Sequence, residues 1–353
     1  MLLVPASSPG FGYLGVRGAG TLLPGVTARS VALGGTRSIG IDGDACVLTN
    51  PAGLSRLPVT SVTVSFGPSI GAAMLSDSLG KHDSNWLSMS TLYAGLSFPV
   101  GGDLVMGAAL GKVSDFAFKY THYTYDFEPG QTSFLSEIRK FETSGGMYET
   151  AGGLSYSAAD WLSLGASAGM RFGSASYDST YEDVENPDND TLITWKRDFS
   201  SFCWHGGIEF PLGSGLLGLS WTSEDDDYPA RAAIGGMLYA NDQRTGVFGA
   251  ELELVDPGGR DATEVRLFGS AFLYDSFEFM GSLNFGSPNY ENVETGSRLG
   301  LSLGTGIHLG DFRLDGGLSW SSLGRDSIFL VPGQPDEIKD SQAMITFGLN
   351  WRP

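Results

Sequence analysis

The chain has 353 residues with 40 acidic and 21 basic side chains, which gives a formal net charge of −19. This acidity argues against nucleic-acid binding, which needs a basic face. No apolar run reaches the roughly 18 residues of a transmembrane helix. The 51 glycines are too many for a helical enzyme but suit strands that bend.

Residues 1–57 show no regular alternation and are predicted to form a separate N-terminal segment. The chain reads TARSVALGGT from Thr27 and DGDACVLTNPAGL after Ile41, ending at Leu54. The paired glycines permit a tight backbone turn. An asparagine before a proline favours an extended or turn conformation. We therefore expect an irregular segment that leads into the first strand.

Residues 58–353 contain about fourteen segments in which apolar residues alternate with small or polar ones. In the segment 298–309, Leu299, Leu301 and Leu303 share one parity, and glycine or polar residues fill the other. This period of two gives a strand one face for lipid and one for water. The sequence predicts an all-β fold, a transmembrane antiparallel β-barrel of about 14 strands. A soluble β-sandwich is the alternative, but it rarely needs such long, uniformly apolar faces.

The links between these segments alternate in length. Short links are predicted at 100–102, 158–160, 211–214, 241–244, 274–276 and 310–311, and long links at 67–85, 120–141, 178–190, 224–228, 257–261, 287–294 and 324–340. Barrels of the bacterial outer membrane have short periplasmic turns and long outer loops. We therefore predict an outer-membrane location in a Gram-negative bacterium, with both termini in the periplasm.

The surroundings of the barrel follow from its surface residues. Tryptophans near strand ends are expected to form interfacial girdles against lipid; they are Trp86, Trp161, Trp195, Trp204, Trp221, Trp320 and Trp351. Acidic clusters occur in the loops around residues 182–190 and 224–227. They are either solvated loop residues or a cation site bridging to anionic lipid headgroups. Outer-membrane lipid and lipopolysaccharide are thus predicted partners.

Charged residues also occur at positions whose parity faces the lumen. They are Glu149, Glu209, Glu251, Glu253, Glu264 and Glu278, with Arg171, Arg231, Arg266, Arg298 and Arg313. The arginines at 29 and 37 of the N-terminal segment are expected to pair with such carboxylates. The alternative is that these charges only line water.

The N-terminal motif resembles that of the FadL superfamily of outer-membrane barrels, which includes long-chain fatty-acid transporters and PorV/PorQ-type proteins. The matching positions are Ala28, Arg29, Gly34, Gly35, Asp44, Ala45, Asn50, Pro51, Ala52, Gly53 and Leu54. The resemblance implies a fourteen-stranded barrel, residues 58–353, whose N-terminal segment, residues 1–57, folds inside as a hatch. A barrel of this size is too wide for side chains alone to fill, so a plug is physically reasonable.

Six inward positions are large and apolar: Met237, Tyr239, Phe268, Phe272, Tyr274 and Met280. A water-filled porin has little use for such residues. They are candidates for a binding pocket for an acyl chain or aromatic hydrocarbon beside the hatch. The alternative is that they pack against the hatch itself.

Nothing in the sequence indicates catalysis, a cofactor or a metal. The four histidines are far apart in sequence and show no metal-ligand spacing. Cys46 and Cys203 are expected to be buried free thiols, although an oxidising periplasm would permit a disulfide that tethers the hatch.

Two functions remain open. The first is a passive outer-membrane channel for a hydrophobic small molecule. The second is a PorV-like accessory barrel that binds proteins of a secretion machinery and transports nothing. A continuous apolar path through the lumen would favour the first, and an exposed apolar patch on the loops would favour the second.

Overall fold

A computed structural model describes residues 20–41, 43–77, 80–126, 134–241, 245–255, 262–274, 276–287, 295–327 and 336–353. The strands are β1 (Thr21–Leu22), β2 (Ser61–Asp77), β3 (Gly80–Gly101), β4 (Leu104–Asp115), β5 (Phe118–Asp126), β6 (Phe134–Ala159), β7 (Leu162–Asp183), β8 (Thr191–Leu212), β9 (Gly215–Thr222), β10 (Arg231–Tyr239), β11 (Gly246–Val255), β12 (Ala262–Tyr274), β13 (Phe277–Ser287), β14 (Thr295–Leu309), β15 (Phe312–Ser327) and β16 (Asp336–Trp351). An α-helix spans Ala28–Ala32, and 3-10 helices span Gly43–Leu48, Pro51–Arg56 and Pro187–Asn189. Among the described helices, none has the length and apolar character needed to cross a membrane.

Fourteen strands close into one antiparallel barrel, as predicted. They are β2 to β4 and β6 to β16, each paired with its neighbours in the chain, except that β4 pairs with β6. The barrel closes where β16 pairs with β2, with Trp351 opposite Val62. The remaining two strands are additions: β1 pairs with β4, and β5 pairs with the upper part of β6. Closure gives each of the fourteen described strands a partner on both sides, which matters in a membrane because unsatisfied backbone groups are costly there.

The two ends of the barrel differ. At one end, which we call the short-turn end, strands join through two-residue turns such as 102–103, 160–161 and 310–311. The C-terminus lies there as well, because the Arg352 amide donates a hydrogen bond to the Asp311 carbonyl at 2.8 Å. We call the opposite end the long-loop end. The predicted short links at 100–102, 158–160, 211–214 and 310–311 are therefore confirmed to within two residues, whereas residues 242–244 and 275 of the other two links lie outside the described residues.

Several predicted long links are partly wrong, because the strands continue into residues that were predicted to form loops. β2 reaches Asp77 and β3 begins at Gly80, so the predicted loop at 67–85 is almost entirely strand. Likewise β7 continues to Asp183 before β8 starts at Thr191. Above the membrane both faces of a strand contact water, so the apolar alternation disappears although the hydrogen-bond ladder continues. Hydrophobic periodicity therefore underestimates strand length there.

The outer surface of the barrel is apolar where it is predicted to be. Leu301, Leu303, Phe347 and many similar side chains are exposed on it. Trp195 is exposed but lies on the inner side, where it stacks on the buried Tyr177 with ring centroids 3.6 Å apart. Of the other six girdle tryptophans, five lie exposed. Trp86 does not: its ring packs against Phe118, with centroids 4.9 Å apart. The parity of Trp86 places it on the inner side, which a position near a strand end does not reveal.

We expect Leu303→Arg to lower the free energy of unfolding by about 2–4 kcal/mol, because Leu303 is 53% exposed on the lipid face in the middle of β14. The measurement is urea unfolding in lipid vesicles. Leu192→Arg is the matched control, since Leu192 is 66% exposed next to the β7 to β8 connection. That control should stay within about 0.5 kcal/mol of the parent. Equal effects of the two substitutions would contradict the placement of the membrane.

Candidate functional site

The first half of the N-terminal motif forms a capped helix that ends at two glycines. Thr27 and Ser30 cap the helix Ala28–Ala32 reciprocally, each side chain accepting a hydrogen bond from the other's backbone amide. Gly34 and Gly35 then adopt φ angles of 73° and 76°, which favour glycine. At position 35 a Cβ atom would also lie 1.1 Å from the Pro24 carbonyl oxygen. The paired glycines therefore turn the chain sharply after the helix.

The second half of the motif fastens the segment to the barrel wall. The Asn50 Oδ1 accepts a hydrogen bond from the Ala52 amide at 3.1 Å and so caps the 3-10 helix Pro51–Arg56. Its Nδ2 donates to the Leu219 carbonyl of β9 at 3.2 Å. This approach depends on Gly207 of β8, where a Cβ would lie 1.8 Å from the Asn50 Oδ1.

Lumen-facing glutamates of the barrel bind the N-terminal segment at several places. Arg29 forms a two-pronged pair with Glu278, with N···O distances of 2.6 and 3.0 Å. Glu251 accepts from the Ser38 amide at 2.7 Å and from the Ser38 hydroxyl at 2.6 Å. Glu209 accepts from the Gly40 amide at 2.6 Å. Because these carboxylates are buried, each bond is stronger than it would be in water.

Further ion pairs complete the attachment and confirm the expected charge pairing. Arg37 lies 3.5 Å from Glu253, and Arg56 lies 3.0 Å from Glu209. In the wall itself Arg266 contacts Glu251, Glu253 and Glu264, Arg231 contacts Glu253, and Arg313 contacts Glu278. These charges do more than line water.

Four of the six predicted ligand-binding residues pack in or against a cluster that the N-terminal segment shares, and a fifth, Phe272, borders a cavity beside it. Met237, Phe268 and Met280 form a buried cluster with Ala32, Leu33, Ile39 and Leu216. Tyr239 is partly buried against this cluster. A cavity of about 220 Å³ lies beside it, near the short-turn end, and Met237, Tyr239 and Phe272 contribute to its lining. The sequence left two interpretations of this set, a pocket lining or packing against the N-terminal segment. Some of the residues pack against the segment, and others border an open cavity.

Tyr274 is the exception among the six. It is 78% exposed and is not among the residues that line the cavity. The register of β12 against β13 shifts between Phe272 and Tyr274. This irregularity at the strand end changes the parity, so simple alternation assigned Tyr274 to the wrong face.

The segment also contributes residues to the cavity that sequence reasoning missed. Ile41 and Leu57 line it from the segment, and Arg29, Arg56 and Arg352 supply positive charge. Ile41 and Leu57 lie in non-repeating structure, where no periodic signal marks a side chain as pocket-facing. Arg29 differs from these two residues, because it is one of the positions of the N-terminal motif.

Asp44 of the motif is fully buried. Burial raises the pKa of its carboxyl to about 6, and the nearby Thr63 and Arg352 offset only part of that effect. The side chain therefore titrates close to neutral pH.

Cys46 and Cys203 are both buried thiols and no disulfide joins them, as expected. The fold places Cys203 next to His205 and Glu149, within one small cluster. Sequence reasoning considered histidine spacing alone and missed this group. The usable signal was that residues 203 and 205 share one face of β8.

A closed fourteen-stranded barrel with an N-terminal segment bound to its lumen wall is the fold of the FadL-type outer-membrane barrels that the motif resembles. The structure resembles a FadL homologue of Pseudomonas aeruginosa (TM-score 0.69, 12% identity, 94% of this chain and 99% of that one). It also resembles the toluene transporters TodX of P. putida (0.67, 14%, 94% and 99%) and TbuX of Ralstonia pickettii (0.59, 13%, 94% and 99%).

The family itself is identified by sequence. Residues 10–212 match the BamG family model, which covers more than half of the chain, and the chain belongs to the BamG family. No curated protein sequence matches it.

We expect Glu278→Gln to loosen the N-terminal segment, because it leaves Arg29 and Arg313 without their shared carboxylate. Breaking a buried pair costs about 3–5 kcal/mol, so amide exchange in residues 28–41 should accelerate by about 100-fold or more. Hydrogen-exchange mass spectrometry measures this. Glu137→Gln, which removes an exposed pair with Arg139, should leave those amides unchanged. Unaltered protection in Glu278→Gln would contradict the anchoring role.

We expect the parent to lose stability as the pH rises from 5 to 7. The folded state binds more protons than the unfolded state in that window, because burial raises the pKa of Asp44 from 3.8 to about 6. The cost at pH 7 is about 3 kcal/mol. Asp44→Asn should remove this slope in urea unfolding, and Asp188→Asn at an exposed loop position should not. A parent that gains stability across the same interval would exclude this assignment.

Proposed function

We propose that the protein is an outer-membrane barrel for passive uptake of hydrophobic small molecules, of the long-chain fatty acid or hydrocarbon type, through a lumen gated by residues 1–57 as a hatch. The observation that carries the proposal is the cavity between the N-terminal segment and the wall. Its apolar side chains come from both the segment and the wall. Ile41 and Leu57 belong to the segment, and Met237, Tyr239 and Phe272 belong to the wall.

The cavity suits a slender apolar ligand. Its volume of about 220 Å³ is below the usual range for drug-sized ligands, about 300–1,000 Å³, but accepts an aromatic ring or part of an acyl chain. A water-filled pore would not place three large apolar residues around its open space. The toluene transporters with this fold lend the proposal support.

Passage requires the hatch to shift, since its contacts occupy the lumen wall. Arg29, Arg37 and Arg56 each pair with a lumen glutamate. Two of these arginines, at 29 and 56, also border the cavity. A ligand that enters the cavity therefore contacts the anchoring side chains directly and can favour a displaced hatch if it binds that state better.

The proposed orientation places the short-turn end, with the C-terminus, in the periplasm, and the long-loop end outside. Residues 1–19 lie outside the described residues, and a periplasmic N-terminus stays a prediction. The ligand would then enter at the long-loop end and leave through the cavity near the short-turn end. Outer-membrane lipid would cover the apolar belt, and lipopolysaccharide would meet the long-loop end, where Asp183, Asp188 and Asp190 lie.

A second candidate is the PorV-like accessory barrel that binds proteins of a secretion machinery. One observation favours it: apolar side chains are exposed where β7 and β8 rise toward the long-loop end. Val184, Leu192 and Ile193 are all exposed there. Exposed apolar groups outside the membrane belt are typical of protein contacts.

The deciding experiment is native mass spectrometry of the detergent-purified chain, with lipid extraction, comparing the parent with Phe272→Arg. Phe272 borders the cavity, so a buried arginine there should remove a co-purified acyl or aromatic ligand. Tyr274→Arg is the matched control, because that side chain is exposed and lies outside the lining. It should retain the ligand.

Loss of ligand in Phe272→Arg alone supports uptake through the cavity. A parent barrel that carries no such ligand and instead retains a protein partner overturns the uptake proposal. Loss of that partner in Leu192→Ser would then support the accessory function.

A further inference from the structure

Three potential metal ligands converge on the inner wall of the barrel. We call Glu149 of β6 together with Cys203 and His205 of β8 the inner-wall cluster. All three residues are buried. One ligand atom from each, a carboxylate oxygen, the thiol sulfur and an imidazole nitrogen, lies within 4.8 Å of the other two.

We propose that the inner-wall cluster binds a divalent zinc ion, a role independent of the uptake function proposed above. Thiolate, imidazole and carboxylate are the ligands that zinc takes in proteins, with bonds of about 2.0–2.3 Å. A tetrahedral ion with such bonds holds its ligand atoms roughly 3.5 Å apart. Small side-chain rotations would bring the three ligand atoms to that spacing, with the His205 and Glu149 atoms moving slightly apart. Three protein ligands leave the fourth position to a solvent molecule.

The imidazole is already oriented as a ligand. The His205 Nδ1 lies 3.1 Å from the Thr222 hydroxyl, while its Nε2 is in short contact with the Glu149 Oε1. A hydrogen bond between these two atoms places a proton between them, and a bound metal ion would take the place of that proton. The hydroxyl at 222 fixes the ring in the manner of an outer-shell partner.

The carboxylate is likewise held from behind. The Arg171 Nε donates to the Glu149 Oε2 at 2.9 Å, so the other oxygen, Oε1, is the one that faces His205 and the ion. Arg171 also contacts Asp225 at 2.6 Å, so its positive charge is balanced without Glu149. The guanidinium therefore does not exclude a cation from the cluster.

Charge is conserved when zinc binds. The ion would replace the proton between the His205 Nε2 and the Glu149 Oε1 and the proton of the Cys203 thiol, while the Nδ1 of His205 keeps its own proton toward the Thr222 hydroxyl. The two charges of the metal are then matched by one carboxylate and one thiolate, and two protons leave to solvent. No oxidant or reductant is needed.

The position indicates a structural consequence. Thr222 also accepts a hydrogen bond from Arg37 of the N-terminal segment at 3.1 Å. The loop that follows β9 covers Arg171 with the Tyr228 ring, 4.1 Å from the guanidinium carbon. An ion in the inner-wall cluster would therefore join β6 to β8 at the place where both the segment and this loop meet the wall.

The test is refolding of the full chain in detergent with zinc chloride present, so that burial does not prevent loading, followed by metal analysis and measurement of released protons. We expect about one zinc per chain and about two protons per zinc. Cys203→Ser should weaken binding by about 100-fold or more, and Thr222→Val by about tenfold. Cys46→Ser is the matched control, because it removes the other buried thiol, and it should bind as the parent does.

Folding of each variant is checked by its heat-dependent migration on gels, and Glu149→Gln gives a second, isosteric loss of ligand. Cobalt(II) supplies a direct readout, since a thiolate bond produces an absorption band that Cys203→Ser must lack. Equal zinc binding by the parent and Cys203→Ser would overturn the proposal. So would a correctly folded parent that takes up no zinc.

Discussion

A carboxylate that points into a protein interior is stable only when a positive charge or several hydrogen-bond donors meet it. The lumen wall of this barrel carries Glu149, Glu209, Glu251, Glu253 and Glu278, all buried. The wall's own arginines satisfy part of this demand. The N-terminal segment satisfies much of the rest, through its arginines and its backbone amides. Segment and barrel therefore depend on one another, because neither set of charges is balanced alone.

The same constraint shapes the cavity. The segment is attached by polar contacts at several points, whereas the apolar surface between them packs only in part. Leu33 and Ile39 of the segment pack against Met237, Phe268 and Met280 of the wall. Phe272 and Tyr239, in contrast, border the cavity. A compartment bounded by a strongly attached but separate segment can change volume when that segment shifts. A continuous strand wall cannot do this without breaking its ladder of hydrogen bonds.

The structure also separates two kinds of exposed apolar residue that look alike in sequence. Leu303 and its neighbours form the belt that lipid covers. Leu192 and Ile193 lie in the part of β8 that extends beyond the pairing with β9, which begins at His205. The first kind is required by the membrane. The membrane does not require the second kind, Leu192 and Ile193. Their exposure is the physical basis of the accessory-barrel alternative.

The sequence by itself determined the fold class, the strand number and the ends joined by short turns, because the alternation of period two is a local property of each strand. It also determined that Arg29 and Arg37 would meet lumen carboxylates, since parity alone assigns a charge to the inside. Tertiary structure decided which arginine meets which glutamate. It also decided that Tyr274 faces outward after a shift in register, that Trp86 points inward, and that Glu149, Cys203 and His205 converge. These outcomes depend on strand stagger and on the path of a non-repeating segment. Both are set by contacts between residues far apart in the chain, which leave no periodic trace in the sequence.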